Sequence, residues 1–342
     1  MKTLNKVIAT VCASVLAAGT VVAGGHGSVA DFYKGKTVEL YIGYDPGGGY
    51  DTYARLLARH IGKHIPGNPD VVPKNMPGAG SVKLTNWLWE GAPKDGTVFG
   101  AISRGAPFEP VLGNDKAKFR ANKFNWVGSA NNEVSVCATM KRNGITNWEQ
   151  LKTQELTVGG NGSGSDTEQF PKLMNAVLGT KFKVIGPYGG GSDIVKAMEA
   201  GELGGRCGWS WSSVKGTKAD LLASGEIVLL MQMSGSKHPE LPDVPLVMDL
   251  AKSKEERQML NLIFARQALG RPYVAPPDIP ADRAKALQDA FIATVNDPAF
   301  IAEAKKMDLE LSPISGDEVA ALVAESYDTP QAVIDRAIDA IR

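Results

Sequence analysis

The chain has 342 residues, 43% of them apolar and 22% charged, enough for two domains with sizeable cores and unlike a disordered polymer. Lysine plus arginine equals aspartate plus glutamate at 37 each. No cationic excess exists to bind a nucleic-acid backbone by counterion release.

Residues 1–30 read as a secretory signal: Lys2 and Lys6, an apolar run from Val7 to about Val22, then small residues. Cleavage sites follow Ala23 and Ala30, the latter preferred, and the alternative is an uncleaved anchor. No later segment approaches the roughly 18 apolar residues of a span.

From residue 36 one pattern recurs. "KTVELYIGYDPGGGYDTYARLLARHIGKHI" is an apolar run, a Pro-Gly turn and a helix with Ala54, Leu57, Ala58 and Ile61 on one face. "DVVPKNMPGAGSVKLTNWLWEGAPKDG" follows the same order, with Ser81 as an N-cap and Gly91 as a stop. "TQELTVGGNGSGSDTEQFPKLMNAVLG" and "KFKVIGPYGGGSDIVKAMEAGEL" follow it again. Such βα units predict an α/β chain with largely parallel sheets. Further strands are expected in "TVFGAIS", "FNWVGSA", "VSVCATM", "RCGWSWS" and "EIVLLMQ", and the tail from Ala281 to Arg342 reads as helices around "LELSPIS". Cys137 and Cys207 leave two readings, a disulfide and a pair of buried thiols.

A glycine-rich turn that opens a helix is an anion site, because the first helical N–H groups are unpaired and aligned with the positive end of the dipole. The enzymatic versions of this device do not fit. "GGNGSG", Gly159 to Gly164, continues with Ser165 and Asp166 where a phosphate-binding loop needs Lys and Ser or Thr. No dinucleotide fingerprint or Gly-x-Ser-x-Gly elbow is present. His60 and His64 lie four apart on one helix without the intervening Glu of a zinc motif, and read as a solvated face. Asp51, Ser81, Asp166 and Asp193 stand where helix caps belong, and Asp51 is either a cap or a reader of a donor on a ligand.

Two further groups have double readings. In "RCGWSWSS" a strand places Trp209 and Trp211 on one side and Ser210 and Ser212 on the other. The indoles either fill a core or, with Tyr44, Tyr50 and Tyr188, wall a ligand. Arg104, at the end of "TVFGAIS", is either a surface residue or the anchor of a second carboxylate at a strand's carboxyl end.

The segments "YIGYDPGGGYDTYARLLARHIGKHIPGNPDVVPKNMPGAGS", "APKDGTVFG", "VGGNGSGSD", "YGGGSDIVKAMEAGEL" and "HPELPDVPLV" fall in one order from about Lys36 to Val323. In that order they resemble the Bug receptors, the substrate-binding proteins of tripartite tricarboxylate transporters. The resemblance implies a two-domain Venus-flytrap fold of the type II periplasmic binding protein kind, with residues 31–130 and 229–342 as one domain and 131–228 as the other. It implies a small carboxylate clamped in the cleft and delivered to membrane permease subunits, by a monomer without cofactor, metal or turnover.

Carried over by position, the ligand loops are Tyr44, Pro46, Gly47, Gly48, Gly49, Tyr50 and Asp51 on one side, and Gly162, Ser163, Gly164, Ser165, Asp166 and Thr167 on the other. Arg104, Tyr188 and Trp209 complete the expected site. Where the family carries a "GG(Q/E)(V/L)D" strand entry, this chain has "AGELGGRCGWSWSSVK", with Gly204 in place of the Asp. The "GTP" run before the C-terminal helix is replaced by "ARQALGRPYVAPPDIPADR". Ligand identity is therefore not carried over. Two other classes stay open: a periplasmic enzyme on a similar clamshell acting on a carboxylated substrate, and a signalling receptor for the same kind of ligand.

Overall fold

The computed structural model describes residues 27–342, so most of the signal segment lies outside the described residues. None of the described helices is long and apolar enough to cross a membrane. After the short α1 (Val29–Tyr33), the recurring units build two sheets.

The first sheet contains β1 (Thr37–Ile42), β2 (Asp70–Asn75), β3 (Val98–Ala101) and β4 (Asn125–Ser129). The second contains β5 (Ser135–Met140), β6 (Leu156–Gly159), β7 (Phe182–Ile185), β8 (Gly205–Ser210) and β9 (Ile227–Met233), after which β10 (Pro272–Ala275) and β11 (Ile314–Ser315) return to the first. Strand order is β11-β4-β10-β3-β1-β2 in one and β7-β6-β8-β5-β9 in the other. β1, β2 and β3 are parallel, as are β6, β7 and β8, while β10, β11 and β5 run against their neighbours and make both sheets mixed. Pro73 sits in β2, an edge strand, where its missing N–H interrupts no ladder.

The helices are α2 (Gly49–Ile61), α3 (Val82–Glu90), α4 (Asp166–Leu178), α5 (Gly191–Ala200), α6 (Trp211–Ala223), α7 (Lys254–Phe264), α8 (Ala281–Val295), α9 (Pro298–Lys306), α10 (Gly316–Tyr327) and α11 (Gln331–Ile341). Ala54, Leu57, Ala58 and Ile61 of α2 are all buried, in a cluster with Val38, Leu40 and Ile42 of β1 and Leu287 and Phe291 of α8. A second cluster, around Ile194, Met198, Trp209 and Val214, fills the space between β8 and helices α5 and α6. The third is continuous from Leu84 and Trp126 by the first sheet to Leu173 and Met231 by the second, joined through α7, α10 and α11. β9 (Ile227–Met233), which spans residue 228, belongs to the second sheet, and α11 packs on α4.

Cys137 and Cys207 are joined in a disulfide between β5 and β8. Ser81 stands at the N-cap of α3, but its hydroxyl makes no capping bond. "RCGWSWSS" is not one strand: β8 ends at Ser210 and α6 begins at Trp211. The Trp211 N–H donates to the Val134 carbonyl, and the Glu133 carboxylate accepts from the next N–H, Ser212, at the helix start where an anion is favoured.

Candidate functional site

The two sheets face each other across a cleft at the carboxyl ends of β1, β3 and β6, the crevice position for ligands of open α/β sheets. It holds a narrow recess. The first sheet contributes Tyr44, Gly48, Gly49 and Tyr50 from the β1–α2 turn, Ser103 and Arg104 after β3, and Arg271 before β10. The second contributes Asn161, Ser165, Asp166 and Thr167 from the β6–α4 turn, Gly191 at the start of α5, Arg206, Gly208 and Ser210 along β8, and Ser213 in the first turn of α6.

Helices α2, α4 and α5 thus direct their N-termini at one recess, and the first N–H groups of a helix have no intrahelical acceptor. Glycine makes this approach possible. A Cβ on Gly49 would lie 2.9 Å from Ser213 Cβ on the opposite lobe, whereas one on Gly48 would make only ordinary contact with the Gly191 nitrogen at 3.6 Å. Gly208 has φ +70, and a Cβ there would meet the Asp166 carbonyl carbon at 2.6 Å. Main-chain bonds also cross the cleft, from Asp45 N–H to the Gly189 carbonyl (3.2 Å) and from Gly80 N–H to the Asn161 carbonyl (2.8 Å).

The recess is rich in guanidinium groups. Arg104 donates from Nε to Asp166 (2.6 Å), from Nη1 to Ser210 (3.0 Å) and from Nη2 to Ser135 (2.6 Å). Burial works against its charge, and Asp166 together with Tyr50 and Glu133 outweighs burial and raises its pKa. Arg266 lies behind it, fully buried, on the same Asp166 at 3.3 Å. Arg271 pairs with Glu133 at 3.1 Å and donates to Ser210 and Ser212. Arg206 differs from all three. Its Nη1 donates to the Gly191 carbonyl (3.2 Å), its guanidinium lies 4.9 Å from the Trp209 ring centroid, and its buried Nε has no partner among the described residues. Burial, with the charges of Arg104 and Arg271, pushes its pKa down to about 9. Burial also raises the Tyr44 hydroxyl's pKa, so that ring, stacked on Tyr50 at 4.7 Å, remains a neutral wall.

Of the residues expected from the sequence, Tyr44, Gly48, Gly49, Tyr50, Arg104, Ser165, Asp166 and Thr167 line the recess. Pro46 and Gly47 lie outside it: the Pro46 carbonyl accepts from Ser192 Oγ (3.0 Å), and the Gly47 N–H donates to Asp51 (2.9 Å). Asp51 lies in the first turn of α2, whose N-cap is Gly48, and its buried carboxylate is occupied within its own lobe by Gly47 N–H, Arg55 and Asn75. Gly162, Ser163 and Gly164 are not on the recess wall either. The Gly162 N–H donates to Glu168 and the Ser163 carbonyl accepts from Gln169. A Cβ on Gly162 would strike Ala79 Cα at 2.7 Å, so this glycine serves contact with the opposite lobe. Tyr188 packs at the edge of the second-lobe cluster with its carbonyl on Asn161, and Trp209 is fully buried in that cluster. His60 and His64 pair with Glu303 and Asp297 at 2.6 and 3.0 Å, away from the cleft.

Arg206, Ser210 and Gly191 were missed by sequence reasoning, although the signal was present. With Trp209 assigned to the core, the period of two in β8 turns Arg206, Gly208 and Ser210 toward the cleft.

The family model described as "Tripartite tricarboxylate transporter family receptor" matches residues 53–338. A protein of Cupriavidus necator described as "UPF0065 protein in gbd 5'region" is 25% identical over 316 residues, covering 90% of this chain and 89% of its own. Among solved structures, the periplasmic binding protein BugD superposes with a TM-score of 0.72 at 18% identity, covering 90% of this chain and 98% of that one. MatC from Rhodopseudomonas palustris, with bound malate, gives 0.68 at 19%, covering 90% and 99%. These likenesses establish the two-domain periplasmic binding protein fold, and the match over most of the chain places the protein in the tripartite tricarboxylate transporter receptor family.

Proposed function

We propose that the protein is an exported, monomeric periplasmic receptor that captures a small carboxylate between its lobes and delivers it to the membrane subunits of a tripartite transporter. The observation that carries this reading is the convergence of the α2, α4 and α5 N-termini on one recess, the start of α6 being already taken by Glu133 and the Val134 carbonyl. Unpaired N–H groups and aligned dipoles favour an anion there without any change of protonation. The malate bound to MatC is consistent with this chemistry. The lobes correspond to the two sheets with their flanking helices, and the ligand enters when they separate.

The test is a comparison of carboxylic acids with their methyl esters, by thermal melting and calorimetry. A ligand at about 100 times its Kd adds about 2.7 kcal/mol to the folded state. Acids should stabilise and the matched esters should not. Equal stabilisation by both would remove the carboxylate reading, and consumption of ligand in parallel product analysis would favour an enzyme instead.

A further inference from the structure

Lys215, in the second turn of α6, makes a charged contact between the lobes outside the recess. Its ammonium lies 2.6 Å from the Glu240 carboxylate, in the loop after β9, and also bonds the Glu310 carboxylate, in the segment that leads from α9 into β11. Lys215 and Glu240 belong to the second sheet, on which α6 packs. Glu310 belongs to the first: β11 pairs with β4, and the Glu310 carbonyl accepts from the Tyr53 hydroxyl of α2 at 2.8 Å. The second-lobe side of the contact is held in place. Trp211 Nε1–H donates to Glu240 (2.7 Å), the His238 N–H donates to Gln232 of β9 (2.8 Å), and His238 Nδ1 accepts from the Glu240 N–H (3.2 Å). With Nδ1 an acceptor, the ring hydrogen is on Nε2, which faces Glu310 at 3.6 Å. Among the described residues, Glu310 thus meets Lys215 and His238 of the opposite lobe and no cation of its own.

The backbone is fitted to the same contact. A Cβ on Gly216, the residue after Lys215, would lie 3.2 Å from both Leu309 Cδ2 and the Met307 carbonyl oxygen of the first lobe. Glycine inside a helix weakens it, and here it lets α6 approach the other lobe beside the ion pair. The side chains of Lys215 and Glu310 are 22% and 30% exposed, so the pair avoids the desolvation penalty of a dry site and is still open to screening by salt.

We infer that Lys215 and Glu310 form a latch that favours the closed receptor independently of the solute, a reading that takes from the proposed function only that the lobes separate. The two partners lie on opposite lobes, so their bond breaks as the lobes part. The Lys215–Glu240 bond lies within one lobe and persists. Glu240 is therefore the resting partner of the ammonium in the open receptor. Opening leaves no unpaired cation in a half-buried site, and the latch biases the balance between the two states without locking either.

The experiment places a dye pair on the exposed positions Lys183→Cys of β7 and Lys285→Cys of α8 and reads the closed-to-open ratio of the ligand-free protein by single-molecule energy transfer. Lys215→Met and Glu310→Gln should each lower the ratio by about 3- to 5-fold, the upper end for a partly exposed ion pair. The double variant should lose no more than either single one, because both act through one bond. Salt at about 1 M, where the screening length is about 3 Å, should lower the parent's ratio without any substitution. Glu240→Gln removes only the same-lobe partner and should leave the ratio unchanged or raise it. A ratio that Lys215→Met, Glu310→Gln and salt all fail to move overturns the latch, as does a single lobe separation common to all of them. A ratio that Glu240→Gln lowers as much as Glu310→Gln does, or that the two single changes lower additively, overturns it too, since Lys215 would then act through its own lobe. The measurement contains no solute, so its outcome is independent of the comparison of acids with esters.

Discussion

Asp166→Asn tests the electrostatic frame of the cleft. The Asp166 carboxylate, with a side chain 7% exposed, stands between Arg104 at 2.6 Å and Arg266 at 3.3 Å, whose side chains are 1% and 0% exposed. Asparagine keeps the shape and one acceptor, so the change removes charge and little else. Neither guanidinium has another carboxylate within ion-pair distance among the described residues. Removing one partner of a buried pair costs about 3–5 kcal/mol, because the remaining charge is left uncompensated, and here two charges are left. The expected loss is therefore at least in that range, a Tm lower by on the order of 5–10 °C for a chain of this size. Differential scanning calorimetry of the ligand-free protein reads it directly. A variant within about 1 kcal/mol of the parent would refute the reasoning, since water would then be compensating both arginines and the cleft would be wetter than its burial implies.

Gly208→Ala places a Cβ at a φ of +70 and 2.6 Å from the Asp166 carbonyl carbon. It should cost at least the 1–2 kcal/mol of left-handed backbone and weaken ligand by displacing the α4 N-terminus. Parental melting and affinity would show that β8 and α4 can separate freely. Asp45→Asn tests a pH dependence. Burial and the nearby Asp193 carboxylate hold the Asp45 pKa above its ordinary 3.8, so the folded state disfavours its ionised form. That penalty is absent below about pH 3.8, grows as pH rises through the raised pKa, and persists at neutral pH. Asp45→Asn should therefore stabilise at neutral pH, with the gain vanishing in acid. A gain that grows in acid would contradict the assignment.

The βα units were legible because each carried its own signals. Val38, Leu40 and Ile42 alternate, the glycines break the chain, and α2 shows its apolar face at Ala54, Leu57, Ala58 and Ile61. β10 escaped because its four residues begin with Pro272 and are followed by Pro276 and Pro277, and only pairing with β3 and β4 makes them a strand. The cleft was half legible. Helix-opening glycines announce an anion site, but which ones face the ligand depends on how the lobes meet, and Gly162 is instead in contact with the opposite lobe. Likewise the role of Arg104 is decided by Asp166, 62 residues away. Pairings over that distance leave no local pattern.

The bonds from Asp45 to Gly189 and from Gly80 to Asn161 close the cleft with main-chain atoms, which most substitutions leave in place. The closing motion and the taste of the receptor are therefore separable in heredity. Mutation can retune the few side chains inside, such as Ser103, Asn161, Arg206, Ser210 and Ser213, while the lobes continue to meet on the same carbonyls and amides. A scaffold of that kind can diversify into receptors for many solutes with its hinge unchanged, and an engineer seeking a sensor for a new acid has the same few positions to vary.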